Sequence, residues 1–190
     1  TFGTANLQAS LRIDPYVEFR EGQSSITGNL DLKLMVMPGT PANKNYLEST
    51  LIRAPFRKAD GSIGKLNLNP VSLIDFQVKS GSESADHLSF PAQLSIPISP
   101  DLYNPLTQAK IKTGDLIPAF WQNPDEGIWQ AKSFATVSNR NGKLEASMPT
   151  AFTGRWALGF MELWPEEKIS ELCQVFVQVQ GDMPDTLEGV

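Results

Sequence analysis

The stretch "AFWQNPDEGIWQ" (residues 119–130) gathers residue types that perform chemistry in other proteins. Asp125 and Glu126 are neighbouring carboxylates, the residue types of a glycosidase acid and base. Such enzymes hold their two carboxyls about 5–9 Å apart across a cleft, whereas adjacent turn residues point apart into water, so this chemistry is not expected. Asn123, Asp125 and Glu126 also offer oxygens to a calcium ion. The alternating ligands and distal glutamate of an EF-hand are missing, which leaves a weak surface calcium site as the most these residues could form. Trp121 and Trp129 suggest ligand binding instead, since their broad amphipathic faces suit a stacked sugar or a protein partner. The plainer reading makes 123–127 a turn, with Pro124 at its second position and Gly127 at positive φ. The two indoles then pack on neighbouring strands, and such an aromatic pair contributes about 0.5–1 kcal/mol.

His87 and Cys173 are the single histidine and single cysteine of the chain. Zinc needs three or four His, Cys or acidic ligands, and a lone cysteine cannot close an internal disulfide, so neither a metal nor another cofactor is expected. His87 lies in "SGSESADHLSF", where the many serines formally permit a Ser–His–Asp arrangement. No Gly-x-Ser-x-Gly elbow is present to expose a nucleophile, and a solvated loop histidine is the simpler expectation. Cys173 leads an alternating segment and reads as a buried thiol. "GSIGKLNL" lacks the full phosphate-loop pattern.

The elements that must position these residues are strands. "LDLKLMVM" places Leu30, Leu32, Leu34 and Val36 on one side and Asp31 and Lys33 on the other, the period of a half-buried strand. "LIDFQVK" turns Ile74, Phe76 and Val78 inward. "AQLSIPI" does the same with Leu94, Ile96 and Ile98, and Pro97 marks an edge or a strand end. Shorter strand candidates cover 7–13, 117–121, 128–137, 143–148 and 155–163, and "CQVFVQV" (173–179) alternates as well. After Trp129, Phe134 and Val137 are available to the core beyond an irregularity near Ala131. "NRNG" (139–142) is expected to turn a hairpin, because Asn and Gly tolerate positive φ. Residues 99–115 read as a long loop, and "PEEKISEL" is the one helix-like run, with a proline at its start and acids in its first turn. Many short strands separated by turn residues predict an all-β protein, an antiparallel β-sandwich with at most one or two short helices. The expected organisation is a β-sandwich domain over 1–165, followed by a C-terminal strand or the start of a further β module over 166–190.

Composition narrows the function classes. A length of 190 residues suffices for one well-buried domain. The net charge of −5 and the shortness of basic runs such as Arg57-Lys58 argue against nucleic acid, which is bound by clustered basic residues. No apolar run reaches membrane-spanning length. The start at Thr1 is read as that of a segment trimmed from a longer protein, from which an export signal or lipid anchor has been removed.

The order of features from 9 to 160 resembles a known family. "ASLRIDPYVEFREGQSSITGNLDLKLMVMP", "VSLIDFQVKSG", "AQLSIPIS" and above all "NPLTQAKIKTGDLIPAFWQNPDEGIWQAKSFATV" are similar to the extracellular β-sandwich region of bacterial surface lipoproteins and cartilage intermediate layer proteins. That region is distantly similar to the ZU-type domains of netrin receptors and ankyrins. Asn104, Pro105, Gly114, Asp115, Ile117, Pro118, Trp121, Gly127 and Trp129 carry the most specific part of the match. Some ZU-type relatives cleave themselves at a His-Phe-Ser sequence. The corresponding residues here are Ala151, Phe152 and Thr153, followed by one inserted residue. Ala151 cannot act as a base, so the remnant is expected to be inactive.

Together these readings lead us to expect a non-enzymatic structural or adhesion module of a multidomain surface protein, extracellular or in a bacterial periplasm. Its partners would be a protein or glycan at a cell surface and neighbouring β modules. The alternatives are a carbohydrate-binding module stacking sugars on Trp121 and Trp129, and a hydrolase using His87.

Overall fold

The computed structural model describes residues 9–40, 47 and 52–161. Among these residues fourteen strands follow one another: β1 (Ser10–Arg12), β2 (Phe19–Glu21), β3 (Ser24–Ser25), β4 (Asp31–Pro38), β5 (Ile52–Arg57), β6 (Ile63–Ser80), β7 (Glu83–Ser84), β8 (His87–Pro97), β9 (Tyr103–Asn104), β10 (Ala109–Lys110), β11 (Leu116–Gln122), β12 (Trp129–Arg140), β13 (Lys143–Phe152) and β14 (Gly154–Met161). The all-β, mainly antiparallel class expected from the alternation is observed. Hydrogen bonding runs unbroken through twelve strands of one curled sheet, and β9 and β10 form a separate small ribbon inside the segment expected to be a loop. The helix-like run from Pro165, the alternating segment from Cys173 and the boundary at 165/166 lie outside the described residues.

β6 is the spine. Its first residues pair with β5, its middle with β14 along one ladder, and its second half with β4. Ile74, Phe76 and Val78 alternate inward as expected, and so do Leu94 and Ile96 of β8 and Ile98 just beyond it, with Pro97 at the strand's end. The Asn141-Gly142 pair closes the β12–β13 hairpin between Arg140 and Lys143, with both residues at positive φ. That is the twist a two-residue hairpin turn requires.

β11 also pairs with β12, so the path β11–β14–β6–β5–β12 returns to its start, the last link being a single parallel bridge between Trp129 and Phe56. All five strands send a side chain into one cluster: Ala54, Phe56, Leu68, Phe120, Trp129 and Ala157. A larger cluster contains Ile117, Ala119 and Trp121 of β11, Trp156, Leu158 and Phe160 of β14, and the inward residues of β8 and β13. β11 and β14 are therefore buried on both sides, which is why "IPAFW" and "WALGF" read as continuous apolar runs. Gly159 marks the tightest approach between strands. A Cβ there would lie 2.6 Å from the Asn69 carbonyl oxygen and 2.7 Å from Leu68 Cγ.

Two expectations are corrected. Leu30 and Leu32 are 41% and 46% exposed, because among the described strands β4 pairs only with β6 and nothing covers its first residues; only Leu34 and Val36 of that row reach the core. In β12, Phe134 does not share the core with Val137. The irregularity falls at Lys132: Ala119 stands opposite Ser133, whereas Phe120 stands opposite Ala131. The extra residue reverses the phase, so Trp129 and Ala131 face one cluster while Ala135 and Val137 face the other. Phe134, the residue before Ala135, is half-buried and points to the opposite side.

Candidate functional site

Three regions hold the residues capable of chemistry. The first lies where β13 ends and β14 begins. Phe152 is the register partner of His87, the first residue of β8, and Thr153 occupies the break before Gly154. His87 is thus a strand residue between Arg20 and Phe152, not the loop histidine expected, because its pairing partners come from remote segments. Its Nδ1 contacts the Asp86 carboxylate, which also accepts a hydrogen bond from the Gly22 N–H at 3.0 Å. Burial works to raise the Asp86 pKa, but the Gly22 N–H and the His87 side chain outweigh it and hold the pKa below the usual aspartate value.

The Phe152 carbonyl and the hydroxyl, N–H and carbonyl of Thr153 are all engaged. The Thr153 hydroxyl donates to the Ala85 carbonyl, and the Thr153 N–H donates to the Asp86 carbonyl at 3.1 Å. Trp121 Nε1 donates to the Thr153 carbonyl at 2.7 Å. The Phe152 carbonyl accepts from Trp156 Nε1 at 3.1 Å and from the Thr150 hydroxyl at 2.9 Å. The rings of Trp121 and Phe152 lie 4.8 Å apart, and Lys132, lifted out of register by the bulge, places its ammonium 5.6 and 5.0 Å from their centroids. Such cation–π contacts contribute about 0.5–1 kcal/mol at exposed sites. A His–Asp contact therefore stands beside a threonine hydroxyl. Among the described residues, however, no hydroxyl hydrogen-bonds to the imidazole, and Thr153 gives its proton to a backbone carbonyl instead.

The second region is the 123–127 loop. Asn123 Oδ1 accepts from the Asp125 N–H at 3.0 Å, and the Gly127 N–H reaches the Asn123 carbonyl at 2.8 Å, with Gly127 at the positive φ expected of it. Arg57 of β5 donates to both Glu126 oxygens at 2.8 Å, and Asn123 Nδ2 donates to Glu126 Oε2 at 3.1 Å. A calcium ion here would have to displace a guanidinium from Glu126 and a backbone amide from Asn123. Among the described residues, no three His, Cys, Asp or Glu side chains are grouped as metal ligands. Asp125 is exposed.

The sugar platform is also corrected. Trp129 is 1% exposed and Trp121 9%, so neither offers a free stacking face. Nor do they form the expected cross-strand pair. Trp121 stands opposite Gln130 and Trp156, and Trp129 stands opposite Gln122 and Phe56.

The third region was not legible in the sequence. A cavity of about 420 Å³, within the size range of small-ligand sites, lies between the end of β4, the bend of β6 and the turn before β9. Val71, Leu102, Tyr103 and Phe160 line it together with Asn69 and Asp101. Tyr103 is half-exposed, and Asp101 pairs with Lys110 at 2.8 Å. No single motif marks these residues, because five separate stretches of the chain meet there.

No protein-family model matches the chain, and no solved structure matches it. No helix among the described residues is long and apolar enough to cross a membrane.

Proposed function

We propose that this chain is a non-enzymatic structural or adhesion module of an extracytoplasmic multidomain protein. One observation carries the reading: the hydroxyl best placed to act as a nucleophile, that of Thr153, is bound to the Ala85 carbonyl and joins β14 to the β7–β8 segment. The resemblance to surface lipoprotein modules supplies the compartment. Antibody against this segment should label intact cells that make the parent protein. Labelling only after permeabilisation would overturn the extracytoplasmic placement, and substrate turnover lost in His87→Ala would overturn the non-enzymatic one.

A second reading is favoured by the cavity beside β9. Carbohydrate recognition needs an exposed aromatic face and hydrogen-bonding side chains, and Tyr103, Asn69 and Asp101 supply both where Trp121 and Trp129 do not. Glycan binding lost in Tyr103→Ala but kept in Trp121→Phe would support it. An array with no binding above background would remove it.

A further inference from the structure

Among the described strands, β4 is a sheet edge. It runs eight residues in unbroken register with β6, and no other described strand pairs with it. Proteins blunt such edges with bulges, short strands, inward charges or proline. β4 has no bulge, and its proline is only its last residue, Pro38. Its apolar row continues the core outward, through half-buried Val36 and Leu34 to Leu32 and Leu30, which are 46% and 41% exposed. The opposite face carries Asp31 and Lys33, both exposed and without an ion-pair partner among the described residues. On β6 their register partners are Lys79 and Gln77.

We propose that β4 pairs antiparallel with β4 of a second copy of this chain, about a two-fold axis at Leu32. A two-fold axis perpendicular to the sheet keeps the two faces distinct, so each residue meets one of the same face. Centring on Leu32 sets Asp31 of each copy opposite Lys33 of the other. Centring one residue earlier sets Asp31 against Asp31, and one residue later Lys33 against Lys33. Like charges directly opposite each other destabilise a ladder, so the charge pattern selects the Leu32 register. In that register Leu30 meets Leu34 and Leu32 meets Leu32, covering the exposed end of the apolar row. On the other face a row of alternating charge, Lys79–Asp31–Lys33, passes from one copy into the next. This inference goes beyond the proposed function and does not depend on where the protein resides.

The test is sedimentation velocity on the whole chain from sub-micromolar to high micromolar concentration. The parent protein is expected to show a concentration-dependent dimer. Lys33→Asp and Asp31→Lys each place two like-charge pairs across the axis, and each variant alone should dimerise at least about fivefold more weakly at low salt. An equimolar mixture of the two restores both opposite-charge pairs in a heterodimer, so association should return to about the parent strength. That recovery also shows that neither variant has failed to fold. A parent chain that stays monomeric throughout, single variants that dimerise like the parent, or a mixture that stays monomeric would each overturn the proposal.

Discussion

Trp129 stands opposite Gln122, the residue after Trp121, and the two tryptophans consequently face opposite sides of the β11–β12 ladder. Trp129 fills the cluster shared by the five strands of the closed path, with Phe56 and Phe120 in edge-to-face contact beside it at 5.9 Å. Trp129→Ala should destabilise by roughly 3–5 kcal/mol, as expected when a large core side chain leaves a cavity. Trp121→Phe keeps most of the packing but leaves the Thr153 carbonyl unpaired, a loss of about 1–3 kcal/mol. Urea denaturation of both variants beside the parent measures each. A Trp129→Ala protein as stable as the parent would remove this residue from the core.

Asp125 and Glu126 should behave differently despite being neighbours. Asp125→Ser is expected to change stability by no more than about 0.5 kcal/mol, as at ordinary surface sites. Glu126→Ser breaks the two-oxygen contact with Arg57, which is about a third exposed, and should cost about 0.2–1 kcal/mol, shrinking in high salt. A double-mutant cycle with Arg57→Ala isolates that pair. A coupling of zero at low salt would make the contact incidental.

The alternating strands were the most legible part of the sequence, because β6 and β8 each have one face on the core and one toward solvent. The Asn141-Gly142 hairpin was equally legible, since its turn chemistry is local. The closed path was not. It depends on one parallel bridge between Phe56 and Trp129, and no residue pattern announces a bridge between segments so distant in the chain. An irregularity near Ala131 is legible, but its effect is not, since inserting Lys132 leaves the spacing of apolar residues unchanged while reversing which face they meet. The gathering of His87, Trp121, Phe152 and Thr153 was likewise hidden, because it arises from register between remote strands.

The chain should remain intact between Phe152 and Thr153. The threonine hydroxyl is bound to a backbone carbonyl, and the residue preceding Phe152 is Ala151, which cannot accept a proton. Intact mass spectrometry after prolonged incubation should give one species. Two fragments meeting at that bond would show that the His87–Asp86 contact can activate Thr153 after all.

Stability should also respond to acid through Asp86. A carboxyl whose folded pKa is lowered contributes stability that is complete above the unfolded value, near 3.9, and is lost as pH falls through the folded value. The parent should therefore exceed Asp86→Asn in urea midpoint near neutrality, and the gap should narrow as pH falls below the unfolded value and close once the folded carboxyl is protonated. The Asp86 side chain is about half-exposed, so the gap should be modest. Parallel curves at every pH would show that the Gly22 and His87 contacts do not bias its ionisation.

β14 pairs with β6 from Leu68 to Phe76 and with β11 from Ala119 to Trp121, and it is the last of the described strands to be synthesised. A nascent chain that has emerged only as far as β13 can link β6 to β11 only the long way, through β5 and β12, and leaves the facing edges of β6 and β11 without the strand that pairs with both. Completion of the fold must wait for residues 154–161, and contacts so distant in sequence form slowly. A premature stop before Gly154 would then leave more than a shortened domain. It would release a chain whose central strands still seek a partner, the kind of species that chaperones retain and that aggregates when they do not.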